Sequence, residues 1–314
     1  MLLMDPPAWE VRGQNDMKAK FVDWDGSWVA YDELLKRAEK RPGIMEQSAR
    51  SLMEERHIAN QKAMKDVAKV LKDAAPDVIV MIGDDHKEVF DEDNMPAISV
   101  YWGEELPYKP VGTMAWPYDP KIMPDLWYWQ DERSFPVASE QAERLIGDLI
   151  EQEFDVAHQK YFKEGHCMSH SFGYNYRNLI DNAPPPVVPI TINSYYPPNQ
   201  MTPRRAYKLG KAIRTSIEAW PEDLRVAVIA TGGLSHFIVD EEFDREFLDI
   251  LASKDIERHA ALPREKLQSG NSELRCWTVL AGAVDHMDMH LIDYIPCYRT
   301  PGGTGCGMAF AHWS

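Results

Sequence analysis

The sequence predicts an α/β fold in which a central, mostly parallel sheet is covered by helices on both faces. Three apolar runs, which begin at residues 77, 187 and 225, have the unbroken hydrophobicity of strands buried on both faces. Stretches with a helical spacing of apolar residues precede them, at 45–74, 138–152 and 203–220. Because helices alternate with core strands, a layered α/β architecture is expected.

Composition limits the functions that the chain can have. The 314 residues include 34 Lys and Arg against 50 Asp and Glu, which gives a net charge of −16. Nucleic acids and anionic membranes are therefore excluded as expected partners, because both require a basic face. No apolar stretch approaches the length of a membrane helix and no basic, apolar leader opens the sequence, so we expect a cytoplasmic protein. The four cysteines lack CxxC spacing and are expected to be reduced thiols.

The first 180 residues are predicted to hold two of these helices and the first core strand. Residues 1–45 show no clear period and predict loop and short helix, with "WDGSW" (24–28) as a turn. Pro76 ends the helix of 45–74, and the strand of 77–82 follows. A shorter strand, "AISVYW", leads into the Pro- and aromatic-rich residues 105–129, for which a surface loop and a pocket wall are both open interpretations. Residues 138–152 form an amphipathic helix.

The second half repeats the pattern of helix, strand and glycine. Thr202 and Pro203 are a favourable N-cap and first-turn pair for the helix that follows. The strand "RVAVIATGG" (225–233) then ends in glycine, as does the strand of 77–82. The glycine-rich "GGTGCG" (302–307) is predicted to be a tight turn. We expect a single catalytic domain over residues 1–314.

Two histidines follow core strands at equivalent positions. His86 comes just after the strand of 77–82, and His236 just after that of 225–233. Ligand and catalytic sites in such sheets lie at the carboxyl ends of the strands, although a single histidine there is commonly structural. His166 is a third candidate, with His170 one helical turn later. Two histidines and one carboxylate are the non-haem Fe(II) arrangement, but spacing does not identify the carboxylate. GxSxG and P-loop motifs are absent from the sequence.

Five ordered segments of the sequence resemble one family. They are "VIVMIGDDH", "VVPITIN" with "YYPP", "LGKAIRTSIEAWPEDLRVAVIATGGLSH", "SGNSELRCW" and "YIPCYRTPGGTGCGMAF". They resemble the class III extradiol ring-cleavage dioxygenases, whose members include the catalytic (β) subunit of protocatechuate 4,5-dioxygenase and the gallate and methylgallate dioxygenases. The resemblance covers roughly residues 77–310, and "TGGLSH" after an apolar strand is its most specific part.

The resemblance implies roles for four residues. His86 in "DDH" matches an iron-ligating histidine, and Glu273 in "GNSELRCW" matches the carboxylate ligand. His236 in "GGLSH" matches the active-site base. His166 matches a further pocket histidine that would hydrogen-bond oxygen or substrate, although His170 is a rival for that position. The implied cofactor is Fe(II).

One part of the family pattern is not found. The first iron ligand of the family is a histidine in a short "SHxP" turn after the N-terminal strand, and no histidine precedes His57 here. Either the strand and its histidine lie upstream of Met1, or the iron site is incomplete. We expect the first, because the other site residues are present.

The predicted function is therefore Fe(II)-dependent extradiol cleavage of a catecholic aromatic acid with O₂, with protocatechuate, gallate and methylgallate as the plausible type of substrate. A zinc-dependent hydrolase and a non-catalytic binding protein of the same fold remain the alternatives. The expected partners are a small aromatic diol and O₂, and we expect a homo-oligomer, specifically a dimer.

Overall fold

Helices and strands alternate along the chain in the computed structural model, which describes residues 2–110, 129, 131–180 and 183–314. The helices are α1 (Pro6–Asp16), α2 (Tyr31–Ala38), α3 (Arg50–Ala74), α4 (Ser139–Glu151), α5 (His170–Asn178), α6 (Pro203–Glu218), α7 (Glu241–Ala252), α8 (Ile256–Ala260) and α9 (Leu274–Ala283). The strands are β1 (Lys20–Val22), β2 (Trp28–Ala30), β3 (Val78–Asp84), β4 (Ile98–Tyr101), β5 (Glu105–Tyr108), β6 (Arg133–Pro136), β7 (Ala157–Gln159), β8 (Val187–Ile192), β9 (Val226–Ala230), β10 (His236–Ile238), β11 (Met289–Tyr298) and β12 (Thr304–Trp313).

Five strands form the central sheet, in the order β7-β4-β8-β3-β9. Strand β3 pairs in parallel with both β8 and β9, and β4 pairs in parallel with β7. The pairing of β4 with β8 is antiparallel. The prediction of a mostly parallel sheet within an α/β fold is thus confirmed. Because β3 is flanked by β8 and β9, the residues after β3 and β9 emerge at the same edge of the sheet.

Strand β3 is buried on both faces, which explains its continuous apolar run. Val80 and Ile82 face a cluster that includes Leu145 of α4 and Leu209 of α6. The alternate side chains, such as Met81, face a second cluster that contains aromatic side chains of α5. Since successive side chains of a strand point to opposite faces, this one segment supports both helical layers.

Strand β9 is less buried than the sequence predicts. All five of its residues are half-buried, whereas the apolar run of 225–233 predicts a strand buried on both faces. The reason is its position, since β9 is the last strand of the sheet and its end borders a cavity.

A second sheet of three antiparallel strands, β10-β12-β11, lies beside this edge. Strands β11 and β12 form a long hairpin that packs against α3. Pro301 and Gly302 are the central residues of the turn of that hairpin, which the hydrogen bond from Gly303 N–H to the Thr300 oxygen closes, and the residues of "GGTGCG" from Thr304 onwards belong to β12. The predicted turn is therefore shorter than the glycine-rich stretch.

The N-terminal segment contains more regular structure than the sequence predicts. The Asp5 side chain accepts from Ala8 N and caps α1, whose first residues are prolines. The buried Trp9 donates its indole N–H to Met4 O at 2.9 Å and anchors the helix. The predicted turn at 24–28 joins β1 to β2. Most of the aromatic-rich stretch, residues 111–128, lies outside the described residues.

Candidate active site

A cavity of about 260 Å³ opens at the carboxyl ends of β3 and β9, beneath the hairpin of β11 and β12. Its polar lining consists mainly of histidines, carboxylates and arginines, and the rest of its wall is largely apolar. The ionisable side chains of the lining are Asp84, His86, His170, His236, Glu273, Arg12 and Arg299. Ligand sites in open α/β sheets lie at this edge, so the cavity is the candidate active site.

His86, Glu273 and His236 all line this cavity. The Nε2 atom of His86 lies 4.0 Å from Oε1 of Glu273. The other carboxylate oxygen, Oε2, lies 3.9 Å from Nε2 of His236. One carboxylate thus lies between two imidazoles, of which one follows β3 and the other belongs to β10.

His170, and not His166, lines the cavity. His166 lies in a loop before α5, where its Nδ1 contacts the backbone oxygen of Glu88 at 2.8 Å. His170 is the first residue of α5, and its ring centroid lies 4.7 Å from that of His86. Of these two rivals, His170 is therefore the one that lies at the cavity. The reason is that α5 begins at the sheet edge, which carries its first residue into the cavity while the preceding loop stays outside.

The turn after β3 orients His86. The carboxylate of Asp85 accepts three backbone N–H groups, from Glu88, Val89 and Phe90, at 2.9–3.1 Å. Burial, reinforced by the charge of Glu88, raises the pKa of Asp85 to about 7 despite these hydrogen bonds. Because Asp85 holds the turn together, the neighbouring His86 projects into the cavity from a defined position.

Asp84 forms the floor of the cavity. It is the last residue of β3, and its Oδ2 lies 3.1 Å from Nε2 of His86 and accepts from the Ser194 hydroxyl at 2.9 Å. Burial by itself raises the pKa of Asp84, but the nearby His86 outweighs it and the pKa is held well below its usual range. Burial lowers the pKa of His86, but Asp84 more than offsets this and the net shift is upward.

His236 is held in one tautomer. Its Nδ1 donates to the Leu234 carbonyl at 2.9 Å, which leaves Nε2 as the nitrogen with a lone pair, directed towards Glu273. Its backbone N–H donates to the side-chain oxygen of Asn271 at 2.5 Å. The backbone also approaches closely at Gly270, where an added Cβ would lie 2.3 Å from the Cβ of His236. Burial lowers the pKa of His236 and favours its neutral form.

Glu273 is fixed by the loop that follows β9. Its Oε2 accepts the backbone N–H of Gly233 at 2.6 Å. The 3-10 turn Ser269–Glu273 delivers the carboxylate to the cavity, and α9 continues directly from it. The loop 231–235 and the turn before α9 therefore position the carboxylate together.

Sequence reasoning did not find three side chains of the cavity: Tyr195, Arg12 and Arg299. The Tyr195 ring lies 4.9 Å from the His86 ring, and burial raises its pKa. Tyr195 lies in "YYPP" directly after β8, a position at the carboxyl end of a core strand that could have marked it. The two arginines lie near opposite ends of the chain, and no local pattern connects them.

The donor set fits a metal ion. A transition-metal ion binds imidazole nitrogen and carboxylate oxygen at about 2.0–2.2 Å, so two donors of one ion lie within about 4.4 Å of each other. The Nε2 atom of His86 meets this limit towards both Asp84 and Glu273, at 3.1 and 4.0 Å. Donor atoms of Asp84, His86 and His170 also lie within 4.8 Å of one another. Imidazole with carboxylate is a donor set typical of non-haem iron.

The family assignment follows from a match that covers most of the chain. Residues 48–309 match the family described as the catalytic LigB subunit of aromatic ring-opening dioxygenase. The chain belongs to this family. The matched range contains the central sheet, most of the second sheet and every cavity residue discussed above except Arg12.

Curated relatives of this LigB family member include ring-cleavage enzymes. A gallate dioxygenase of Pseudomonas putida is 37% identical over 35% of this chain and 34% of its own length. Two 2,3-dihydroxyphenylpropionate/2,3-dihydroxicinnamic acid 1,2-dioxygenases are similar. That of Comamonas testosteroni is 28% identical over 57% of this chain, and that of Photorhabdus laumondii is 29% identical over 58%, each across 49% of the relative.

The match thus spans about a third of the first relative and about half of the other two.

No helix in the described part of the chain combines the length and the apolar character that crossing a membrane requires.

Proposed function

We propose that this protein catalyses the Fe(II)-dependent extradiol cleavage of a catecholic aromatic acid with O₂. The observation that carries the proposal is the placement of Glu273 between His86 and His236 in one cavity, at 4.0 and 3.9 Å. Family membership supports the same reaction. When bound, Fe(II) supplies coordination of the diol and a route for electrons from the ring to O₂.

His86 and Glu273 would hold the iron, with Asp84 within reach as a further donor. Their side chains are anchored before any metal arrives, since Gly233 N–H binds Glu273 and the turn at Asp85 supports His86. Outer contacts of this kind orient metal ligands and set their basicity.

His236 would remove a proton from a ring hydroxyl. Its Nε2 carries the lone pair, and burial lowers its pKa, so the imidazole is neutral and ready to accept a proton near neutral pH. The proton would arrive on Nε2 beside the Glu273 carboxylate, which stabilises the resulting imidazolium. His170 lies beside His86, with 4.7 Å between the two ring centroids, and would contact the substrate or O₂ from there.

The wall of the cavity suits an aromatic ring. Leu2, Val67, Met308 and Phe310 are among its apolar residues. A volume of about 260 Å³ lies just below the range of about 300–1,000 Å³ that is usual for ligand pockets. One substituted ring would fill such a space and exclude water from the site.

Oxygen uptake tests the proposal. Protein reconstituted with Fe(II) should consume O₂ with protocatechuate, gallate or methylgallate and yield a ring-opened product. His236→Ala should retain the metal and lose about 10²–10⁴-fold in turnover, the usual contribution of a general base. Turnover without O₂ would favour the hydrolase, and binding without turnover would favour the non-catalytic protein. The expected homodimer stays a prediction that light scattering would test.

A further inference from the structure

The cavity contains two arginines that the proposed chemistry does not use. Arg12 and Arg299 line it together with the histidines and carboxylates. The protein as a whole carries a net charge of −16, so two positive side chains in one cavity run against its overall charge and indicate a specific role. A pair of guanidinium groups in a cavity walled mostly by apolar residues is suited to recognise an anion.

Arg299 is held firmly in place. It follows β11 directly, is only 4% exposed, and its Nε donates to Oδ2 of Asp16 at 2.8 Å. The Thr304 hydroxyl donates to the same Asp16 oxygen at 2.7 Å. Because Asp16 is anchored twice, it fixes the plane of the guanidinium that lines the cavity.

Arg12 and Arg299 both depend on helix α1 for their place at the cavity. Arg12 and Asp16 are four residues apart on α1, so they share one face of the helix. Gly13 permits α1 to approach the end of β11 closely, since an added Cβ at this position would lie 2.8 Å from the Arg299 backbone oxygen. The helix therefore presents Arg12 to the cavity and also carries the Asp16 carboxylate that holds Arg299.

Arg299 also lies near His236 within the second sheet. His236 of β10 pairs with Cys306 of β12, which pairs in turn with Cys297 of β11, two residues before Arg299. His236, Arg299 and Arg12 line the same cavity. A ring that presents a hydroxyl to His236 would turn a substituent towards the arginines.

We propose that Arg12 and Arg299 form a carboxylate-binding subsite, which selects catechols that bear an anionic acid group on the ring or a short side chain. The inference rests on the proposed function for the diol end of the substrate only. Planar guanidinium groups match a carboxylate in geometry and charge. The subsite orients the ring so that its diol faces His86, Glu273 and His236.

A matched pair of probes tests the subsite without turnover. Metal-free protein is titrated calorimetrically with 3,4-dihydroxybenzoate and with 3,4-dihydroxybenzamide, which differ in charge but hardly in shape. The wild type should bind the acid at least about tenfold more tightly. Arg12→Gln should weaken acid binding about 10- to 100-fold, the range for a hydrogen bond to a charged group, and leave the amide unchanged.

Two further variants make the result specific. Arg299→Lys keeps a positive partner for Asp16 but loses the planar fork, so the preference for the acid should also shrink, with the fold checked by circular dichroism. Arg205→Gln removes the same charge from the exposed surface of α6 and should bind both probes as the wild type does.

Equal binding of acid and amide by the wild type would overturn the subsite, as would an unchanged preference in both Arg12→Gln and Arg299→Lys. Because these titrations need neither iron nor O₂, they separate the subsite from the reaction. An acid preference that disappears in Arg12→Gln supports the subsite even where ring cleavage fails. Ring cleavage without any acid preference overturns the subsite and leaves the proposed reaction intact.

Discussion

The carboxylate of Glu88 fixes the imidazole of His170 through the Nδ1 atom of the ring, which lies 2.8 Å from Oε1 of Glu88. The Glu88 side chain is fully buried and also accepts the backbone N–H of His170 at 3.0 Å. Burial alone would lower the pKa of His170, but the charge and hydrogen bond of Glu88 raise it to about 10. The contact leaves Nε2 of His170 as the nitrogen that faces the cavity.

Glu88→Gln should therefore impair turnover although Glu88 does not line the cavity. We expect a loss of about 10- to 100-fold in kcat, as for residues that orient an active-site histidine, with a smaller change in KM. Glu92→Gln is the matched control, because that side chain lies on the same loop and is 84% exposed. Equal kcat values for wild type and Glu88→Gln, with both proteins folded, would refute the positioning role.

The two histidines near α5 should differ sharply in their importance. His170→Ala removes a side chain of the cavity, and we expect at least about tenfold lower turnover. His166→Ala removes a ring that contacts only the Glu88 backbone oxygen among its described hydrogen-bond partners, so turnover should stay within a few-fold of the wild type. Steady-state oxygen uptake compares the two variants, and a reversed order would restore His166 to the role that the sequence resemblance implies.

Metal binding should depend on Glu273 and His86. Glu273→Gln and His86→Ala each remove a donor from the cavity, and the loss of affinity should exceed the about 10- to 100-fold typical of removing an outer contact. Iron content after dialysis against a graded chelator measures it. Glu222→Gln, which breaks a surface pair with Arg144, should retain iron as the wild type does. Full iron content in Glu273→Gln would remove Glu273 from the ligand set.

The buried His259 should make the protein less stable at mildly acidic pH. Its ring is fully buried against Tyr207, and neither ring nitrogen has a hydrogen-bond partner among the described residues. Burial lowers its pKa from 6.5 to about 4. Between these values the unfolded chain binds a proton that the folded chain does not, so the free energy of unfolding falls as pH decreases through this window.

His259→Phe should flatten that dependence, because the ring then no longer titrates. The part removed is on the order of 3 kcal/mol between pH 6.5 and 4. Urea unfolding at a series of pH values measures it. His158→Phe, at an exposed position, should leave the pH dependence as in the wild type. An unchanged slope in His259→Phe would mean that other groups cause the acid sensitivity.

Much of the scaffold could be predicted from sequence because its signals are local. An apolar run such as Val78–Ile82 can be satisfied only by burial on both faces, and Pro76 and Gly83 mark its limits. The N-cap at Thr202 was likewise readable, and its hydroxyl accepts from Arg205 N. The hairpin of β1 and β2 was missed because its strands are three residues long and their pattern is too short to register.

The sequence by itself determined which apolar runs form strands of the central sheet and that His86 and His236 follow two of them. That much depends on hydrophobic pattern and chain order, which are properties of neighbouring residues. Only the tertiary structure decided that His170, and not His166, lines the cavity. It also decided that Arg12 and Arg299, which lie near opposite ends of the chain, line that same cavity. Those outcomes depend on where α5 begins against the sheet and on how closely α1 packs on the end of β11. A contact between two segments that are distant in sequence cannot be read from hydrophobic periodicity. The periodicity of a segment shows which of its own residues are buried, and not which other segment covers them.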